Sequence, residues 1–355
     1  MRSRRQFVTL LAAAGVGISA RAAQPAVRSA MGMVIAGCHL RSRLGRAPER
    51  PAGVPAWNGP LDFLEHSHAL GAGGIQTSVA GWEQDGLARR LRARCEALGM
   101  FLEGQIRLPA DDAGIAVFAK QLDAAKEAGA TVLRAALLDG RRYEIFQTVA
   151  AWKAFNERAL KSLALAEPLA RQRGLKLAVE NHKDWLAAEL ADILRKISSP
   201  HIGATLDTGN NIALLEDPMA TLEALVPFAL STHLKDMAVE ECDAGFRLSE
   251  VTLGRGLLDL PRIIDIIKKA NAAVRFNLEM ITREPLVVPC LQPQYWTTLG
   301  GVPGERLAAM LRWVRANRPK HALPGLAGKS PAQQVAFEEV NNRDSIQHAR
   351  QQLGL

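Results

Sequence analysis

The sequence lacks a long hydrophobic run, a paired-cysteine motif and a high content of aromatic residues. Its N-terminal apolar stretch has about a dozen residues, fewer than the roughly 20 that a membrane-spanning helix needs. The four cysteines are widely spaced and form no CxxC pair, which indicates neither a zinc knuckle nor a disulfide framework; they are Cys38, Cys95, Cys242 and Cys290. An oxidising compartment would permit a disulfide, but the spacing does not require one.

Positive charge is modest and dispersed. The formal charge of +8 falls to about +4 without Arg2, Arg4, Arg5 and Arg21, which lie in a segment expected to be removed. With 5% aromatic residues and no run of lysine or arginine, nucleic-acid binding through a basic, aromatic-rich face is not supported. A length of 355 residues, 48% of them hydrophobic, allows one large domain or two ordinary ones around a buried core.

The N-terminus is typical of an export signal. It has a basic head, an apolar stretch and a small-residue end at residues 20–22, and residues 3–7, SRRQF, resemble the twin-arginine signal. We therefore predict a signal peptide over residues 1–23, an exported, periplasmic protein, and no stable membrane span after processing. Twin-arginine export carries folded cargo, which suits a protein that acquires a metal before it leaves the cytoplasm.

Beyond this segment, strand-like apolar runs alternate with amphipathic helical stretches. Eight strands are predicted, at residues 33–38, 74–79, 101–107, 131–137, 175–180, 202–207, 230–235 and 274–280. Eight βα units in roughly 290 residues are the size of an α/β protein of the (β/α)8 TIM barrel class. The doubly wound alternative lacks its GxGxxG fingerprint after the first strand. We assign the barrel to residues 31–318 and a C-terminal helical extension to residues 319–355.

The most informative positions are the C-terminal ends of the last four predicted strands, because TIM-barrel sites are built there. Glu180, Asp207, His233 and Glu279 occupy these ends at spacings of 27, 26 and 46 residues, with an insertion in the last unit. Three carboxylates buried together would repel one another, so a cation is the simplest reason to gather them. Three carboxylates and one imidazole suit Mn²⁺, Mg²⁺ or Co²⁺, and the absence of cysteine argues against a closed structural zinc site.

Four short motifs resemble the xylose isomerase-like TIM-barrel superfamily of sugar-phosphate isomerases and epimerases. They are ENHKD at 180–184, LDTGN at 206–210, HLKD at 233–236 and NLEM at 277–280. The resemblance covers residues 31–318. It implies one divalent metal, with Mn²⁺ expected and Mg²⁺, Co²⁺ or Zn²⁺ as alternatives. The ligands it implies are Glu180, Asp207, His233 and Glu279.

The resemblance also implies a reaction, in which a proton moves next to a carbonyl through a metal-stabilised enediolate. Glu180 and Glu279 would then be ligands and also the catalytic acid and base. A lyase or dehydratase acting on an inosose or a 3-keto-glycoside is the nearest alternative, since the same enolate can expel a β-substituent. A non-catalytic periplasmic sugar-binding protein is a more distant one. The expected partner is a small carbohydrate, and the sequence leaves open whether the protein forms a homo-oligomer.

Further residues near the strand ends are candidate substrate contacts. They are His39, Glu103, Arg134, His182, Asn210, Lys235, Asp236, Arg283, Tyr295 and Trp296. For His182 the alternative role is to hold a metal ligand in place, and for the two aromatic residues it is packing against the barrel rim. Two departures from the family pattern matter: many relatives have histidine where this chain has Asn210, and ketose 3-epimerases have a substrate-binding glutamate at the position of Leu186. The first argues against a three-metal endonuclease, and the second weakens the assignment of a plain ketohexose epimerase.

Overall fold

A closed ring of eight parallel strands forms the centre of the molecule. The computed structural model describes residues 29–355, so the predicted signal peptide over residues 1–23 lies outside the described residues. The barrel strands are β1 (Gly32–Val34), β2 (Gly74–Ser78), β3 (Phe101–Gln105), β4 (Val132–Ala135), β5 (Lys176–Glu180), β6 (Ile202–Asp207), β7 (Ala229–His233) and β10 (Asn277–Leu278). Their order in the sheet is β10, β1, then β2 to β7, and bridges at Ser231–Arg275 and Leu234–Leu278 join the two ends. This confirms the predicted TIM barrel.

The remaining strands form a second, smaller sheet. Strands β8 (Asp236–Cys242) and β9 (Gly245–Val251) are an antiparallel hairpin, and β11 (Leu286–Val288) pairs with β9. The hairpin is the insertion expected between His233 and Glu279, although its strands were not predicted. The sequence feature that could have predicted the hairpin is two strand-like runs separated by a short glycine-containing turn. The hairpin matters because it begins three residues after the end of β7, at the mouth of the barrel.

Eight helices surround the barrel, one between or after successive strands. They are α2 (Pro60–Ala69), α3 (Leu87–Leu98), α4 (Asp112–Glu127), α6 (Val149–Arg173), α7 (Ala187–Ile197), α8 (Pro218–Leu225), α9 (Leu260–Ala270) and α11 (Pro331–Gln352). Three further helices are α1 (His39–Gly45), α5 (Arg142–Ile145) and α10 (Gly304–Ala316). Helix α3 ends at Gly99, whose φ of 61° is the left-handed conformation favoured at a helix C-terminus. Among residues 29–355, no helix is long and apolar enough to cross a membrane.

Helix α11 belongs to the barrel, which corrects the prediction of a separate extension over residues 319–355. Ile346 and Ala349 are buried in the main apolar core, and the hydroxyl of Ser29, just before β1, donates to the carbonyl of Leu355 at 2.9 Å. The alternation of strand-like and helical patterns weakens after residue 318, which suggested an appendage. The reason is that β11 and α10 lie between β10 and the helix that follows it in the barrel. Helix α11 therefore takes the place of the eighth barrel helix and packs against β10 and α1.

Candidate metal centre

The four residues predicted as metal ligands lie together at the C-terminal end of the barrel. Glu180, Asp207 and His233 are the last residues of β5, β6 and β7, and Glu279 directly follows β10. One ligand atom from each lies within 4.8 Å of all the others, and all four residues are buried. Parallel pairing in this register explains the cluster, because it brings the ends of neighbouring strands to the same height.

The imidazole of His233 is oriented for a cation. Its Nε2 lies 2.7 Å from the side-chain oxygen of Gln76, so Nε2 carries the hydrogen and Nδ1 is left with a lone pair. Within the described part of the chain Nδ1 has no hydrogen-bond partner, although it is buried and lies 3.3 Å from Glu180 Oε1, 3.4 Å from Glu279 Oε1 and 4.0 Å from Asp207 Oδ2. A buried nitrogen facing three carboxylate oxygens is the donor set of a divalent metal, so the residues fit such an ion.

The electrostatics of the cluster also call for a cation at this point. Burial lowers the pKa of His233, but the carboxylates of Glu279 and Glu180 outweigh burial and raise it to about 10. The protein alone would therefore hold a proton on Nδ1, where the charge of a metal would otherwise be. A metal and this proton compete for the same lone pair, so metal binding would release the proton.

Asp207 is held by its own loop and by the preceding strand. Its Oδ1 accepts the N–H groups of Gly209 and Asn210, which leaves Oδ2 facing the cluster. The side chain of Asn181 accepts the N–H of Asp207 at 2.8 Å and donates to its carbonyl at 2.9 Å. These bonds join the ends of β5 and β6, so Asn181 serves the geometry of the site rather than binding anything itself.

A layer of polar side chains lies beneath the cluster, inside the barrel. Glu103 Oε2 accepts hydrogen bonds from Gln76, Ser231 and Asn277, at 3.0, 2.6 and 2.9 Å. Burial raises the pKa of Glu103. This layer corrects the expectation that Glu103 contacts substrate, because its carboxylate is buried among barrel side chains. Its action on the cluster passes through Gln76 to His233.

Two cations contact the carboxylates of the cluster. Both Nε and Nη2 of Arg134 contact Glu180 Oε2. The ammonium of Lys235 lies 2.9 Å from Asp207 Oδ2 and 2.7 Å from Glu279 Oε2. Burial raises the pKa of Glu180, but the charges of Arg134 and His233 outweigh burial and lower it; Lys235 contributes in the same way to a lowered pKa of Glu279. Both predicted substrate contacts thus also neutralise ligand charge.

The small sheet contributes one residue of an ion pair that was not predicted from the sequence. Arg283 donates to Glu250 with Nε, at 3.1 Å, and with Nη2. Glu250 lies on β9, is 4% exposed, and places Oε1 3.8 Å from the ammonium of Lys235. Glu250 was missed because the hairpin was missed. Arg283, a predicted substrate contact, therefore already has a carboxylate partner.

Two further predicted substrate contacts lie near the end of β5, and one of them contacts Glu180. Asn210 donates to Glu180 Oε1 at 3.0 Å, and its side-chain oxygen accepts hydrogen bonds from Lys183 and, at 3.1 Å, from Lys235. His182 has Nδ1 3.0 Å from the carbonyl of Leu138, so Nδ1 donates and Nε2 keeps a lone pair. Burial lowers the pKa of His182 to about 4, which keeps the ring neutral near pH 7.

The remaining predicted contacts lie farther from the cluster. His39 is partly exposed at the start of α1 and lies beside Glu338 of α11. Trp296 donates its ring N–H to the carbonyl of Cys290, and Tyr295 is fully buried with its hydroxyl bonded to the carbonyl of Ala213. Packing is therefore the role of Tyr295, as the alternative interpretation held.

Asp236 has a structural role in place of the expected substrate contact. Its Oδ1 accepts the N–H groups of Met237 and Leu258, and its Oδ2 those of Gly254 and Gly256. Four backbone donors occupy the lone pairs of both oxygens. The carboxylate therefore holds the loop between β9 and α9 against the start of β8.

A cleft of about 520 Å³ opens at the same end of the barrel, and Arg134 separates it from the cluster. It lies beside the ends of β2, β3 and β4, against α6, and side chains from residues 78–80, 105–108 and 155–162 line it. Arg134 lines the cleft and also contacts Glu180. A small molecule in this cleft would therefore contact Arg134, the partner of Glu180.

Comparison with known families agrees with the fold. The model of the family described as xylose isomerase-like TIM barrel matches residues 64–316. The chain belongs to this family. A curated relative, 3-oxo-isoapionate decarboxylase from Pectobacterium atrosepticum, is 30% identical over 133 residues, which are 37% of this chain. The match spans 48% of that relative, about half of its length.

Solved structures of the same fold include a magnesium complex and a sugar epimerase. A xylose isomerase-like TIM barrel protein from Mycobacterium smegmatis in complex with magnesium superimposes with a TM-score of 0.52 at 16% identity, covering 80% of this chain and 99% of that one. A D-psicose 3-epimerase from Clostridium cellulolyticum H10 with D-tagatose gives 0.51 at 14% identity, covering 74% and 94%. At these identities the likeness establishes the fold of the barrel.

Proposed function

We propose that the protein is a divalent-metal-dependent isomerase or epimerase that moves a proton next to the carbonyl of a small carbohydrate. The observation that carries this proposal is Nδ1 of His233, buried without a hydrogen bond and facing the oxygens of Glu180, Asp207 and Glu279. A bound divalent ion would stabilise the negative charge that develops on the carbonyl oxygen. Mn²⁺ is the proposed ion, with Mg²⁺, Co²⁺ and Zn²⁺ as alternatives.

The two glutamates have the arrangement that proton transfer requires. Glu180 and Glu279 follow strands that are three positions apart around the ring, so they approach a substrate from different sides. One carboxylate takes the α-proton, the electron pair of the C–H bond forms the enediolate double bond, and the other carboxyl group returns a proton to carbon. Asn210, Arg134 and Lys235 hold the two carboxylates in place.

A lyase reaction is the second candidate, and one observation favours it. Arg134 contacts Glu180 and Lys235 contacts Glu279, and both carboxylates have a lowered pKa, which makes each a weaker base. Decarboxylation forms the enolate as carbon dioxide leaves, with the electron pair of the broken C–C bond, so no base has to remove a proton from carbon. Elimination of a β-substituent still begins with removal of the α-proton. The partial similarity to a decarboxylase supports the same candidate.

Solvent exchange distinguishes these functions. The full chain, loaded with Mn²⁺, is incubated in D₂O with ketoses, inososes and 3-keto-glycosides, and deuterium at the α-carbon is followed by NMR. Deuterium in a substrate or its epimer supports the isomerase or epimerase. A product that has lost a substituent or carbon dioxide supports the lyase. Absence of turnover, together with ligand binding that does not depend on metal, would support a non-catalytic sugar-binding protein.

Variants of the two glutamates test their roles. Glu180→Gln and Glu279→Gln should each reduce exchange by at least 100-fold, since each role as acid or base contributes roughly 10² to 10⁴. Glu157→Gln, on the exposed face of α6, is the matched control and should exchange as the wild type does. Exchange retained in both site variants would contradict the two-carboxylate assignment.

A further inference from the structure

Lys183 is a buried cation without a carboxylate partner. Its side chain follows β5 in the ENHKD segment, the residue is 6% exposed, and its ammonium group bonds the side-chain oxygen of Asn210. Among residues 29–355, no carboxylate oxygen lies within the 4.0 Å of Lys183 Nζ that would make an ion pair. An unpaired buried charge is unfavourable by several kcal/mol, so it calls for a partner outside this set.

The backbone holds Lys183 in this position at a cost. Its φ of 64° is in the left-handed region, which residues with a side chain adopt rarely, and its carbonyl accepts the N–H of Arg142 at 3.0 Å. Strained backbone of this kind persists where the surrounding structure requires it, often at binding sites. The turn therefore directs a lysine inward where an ordinary turn would leave it in solvent.

The nearby carboxylates are already engaged by other cations. Glu180 contacts Arg134, Asp207 and Glu279 contact Lys235, and Glu250 is held by Arg283. With His233 neutral, as it would be beside a metal, these four carboxylates face four cations, the fourth being Lys183. A divalent ion at His233 would give the site an excess of about two positive charges.

We propose that Lys183 binds a carboxylate group of the substrate, so that the carbohydrate is a sugar acid. This inference rests on the proposed function, since it concerns the substrate of the same site. The carboxylate would displace the side-chain oxygen of Asn210 as acceptor between Lys183 and Lys235, which share that oxygen. Held by an ammonium group, this carboxylate anchors the molecule while its carbonyl faces the metal ligands.

A carboxylate fits this position better than a phosphate. The two ammonium groups converge on one acceptor, and both lysines are almost fully buried. A carboxylate offers two oxygens in a plane, which matches two converging donors. A phosphate has three terminal oxygens and a charge near −2, and it needs additional donors such as backbone N–H groups.

Binding measurements test the proposal without knowledge of the reaction. Mn²⁺ is first titrated into the full-length wild type and the Lys183→Met variant by calorimetry. D-gluconate and its neutral counterpart D-glucitol are then titrated into the Mn²⁺-loaded proteins. We expect the wild type to bind gluconate at least 10-fold more tightly than glucitol, and Lys183→Met to lose that preference while it still binds Mn²⁺.

The controls separate folding, metal binding and anion binding. Lys161→Met, on the exposed face of α6, should keep the gluconate preference, and Lys183→Gln together with circular dichroism guards against a folding defect in the Met variant. Equal affinity of the wild type for gluconate and glucitol would overturn the proposal, as would a preference that survives in both Lys183 variants. Tighter Lys183-dependent binding of D-fructose 6-phosphate than of gluconate would overturn the choice of carboxylate. A wild type that binds no Mn²⁺ would contradict the proposed function, whereas wild-type Mn²⁺ binding without a gluconate preference would contradict only the role of Lys183.

Discussion

Gln76 on β2 and His233 on β7 are joined across the barrel interior by a hydrogen bond of 2.7 Å between the side-chain oxygen of Gln76 and Nε2 of His233. The amide of Gln76 is oriented in turn by Glu103, which accepts from its nitrogen at 3.0 Å. A chain of three side chains from three strands thus determines which nitrogen of the imidazole carries the hydrogen. Such partners orient a metal-binding histidine and raise its basicity.

Replacing Gln76 should therefore weaken metal binding. In Gln76→Leu the imidazole loses the acceptor for Nε2–H, and we expect the affinity for Mn²⁺, measured by calorimetry, to fall 10- to 100-fold. Gln84→Leu, an exposed substitution of the same kind, should bind Mn²⁺ as the wild type does. Unchanged affinity in Gln76→Leu would show that the hydrogen bond does not support the metal centre.

Lys235 should stabilise the protein mainly when no metal is bound. Its ammonium group lies between Asp207 and Glu279, so in Lys235→Met these carboxylates repel each other unless a metal neutralises them. We expect the metal-free variant to unfold at a lower temperature than the metal-free wild type, and the difference to shrink in saturating Mn²⁺. Ligand binding at 100 times Kd adds about 2.7 kcal/mol to the free energy of unfolding.

The measurement is thermal unfolding with EDTA and with excess Mn²⁺. Lys161→Met is the control, because this lysine is exposed on α6 and should behave as the wild type in both conditions. A difference between Lys235→Met and wild type that is the same with and without Mn²⁺ would contradict a role as counter-charge. It would instead indicate that Lys235 contributes through packing alone.

Glu338 on α11 should make stability depend on pH. Its two oxygens accept the N–H groups of Leu40 and Arg41, and burial raises its pKa from about 4.5 to about 7. Between these values the unfolded carboxyl group loses its proton while the folded one keeps it. The stabilisation is therefore fully present below about pH 4.5 and is lost as the pH rises through 7, by at most about 3 kcal/mol.

The test is the free energy of unfolding of wild type minus that of Glu338→Gln, measured by urea denaturation from pH 5 to pH 8. This difference should decrease as the pH rises, since glutamine does not titrate. Glu339→Gln, at the next position of α11, should give a difference with a smaller slope. A difference for Glu338→Gln that is flat, or that increases with pH, would contradict the raised pKa.

Much of the fold could be predicted because its pattern is local and repeated. Apolar runs alternating with amphipathic helices indicated eight βα units, and the order of Glu180, Asp207, His233 and Glu279 followed from one ligand at each strand end. The hairpin of β8 and β9 interrupts that alternation and was not predicted. Glu250, which lies on β9, was therefore not predicted either. Helix α11 was misassigned for a related reason, since β11 and α10 separate it from its strand.

The substrate contacts were harder to predict than the ligands. Asp236 follows the end of β7 and has a polar side chain, yet four backbone N–H groups occupy its oxygens, one from Met237 and three from the loop between β9 and α9. No role was predicted for Lys183, because nothing in a short polar segment indicates a left-handed turn that buries a lysine. Export to the periplasm stays a prediction, since residues 1–23 lie outside the described part of the chain.

The sequence by itself determined the order of the strands and the four side chains at their ends, because both are set by residue type and spacing along the chain. Only the tertiary structure decided which charges neutralise one another. Arg134, Lys183, Lys235 and Arg283 are chemically similar cations, and closure of the barrel with the added hairpin sets their distances to the carboxylates. Those distances join residues far apart in sequence, so only the folded chain shows that Lys183, among residues 29–355, is a buried cation without a carboxylate partner.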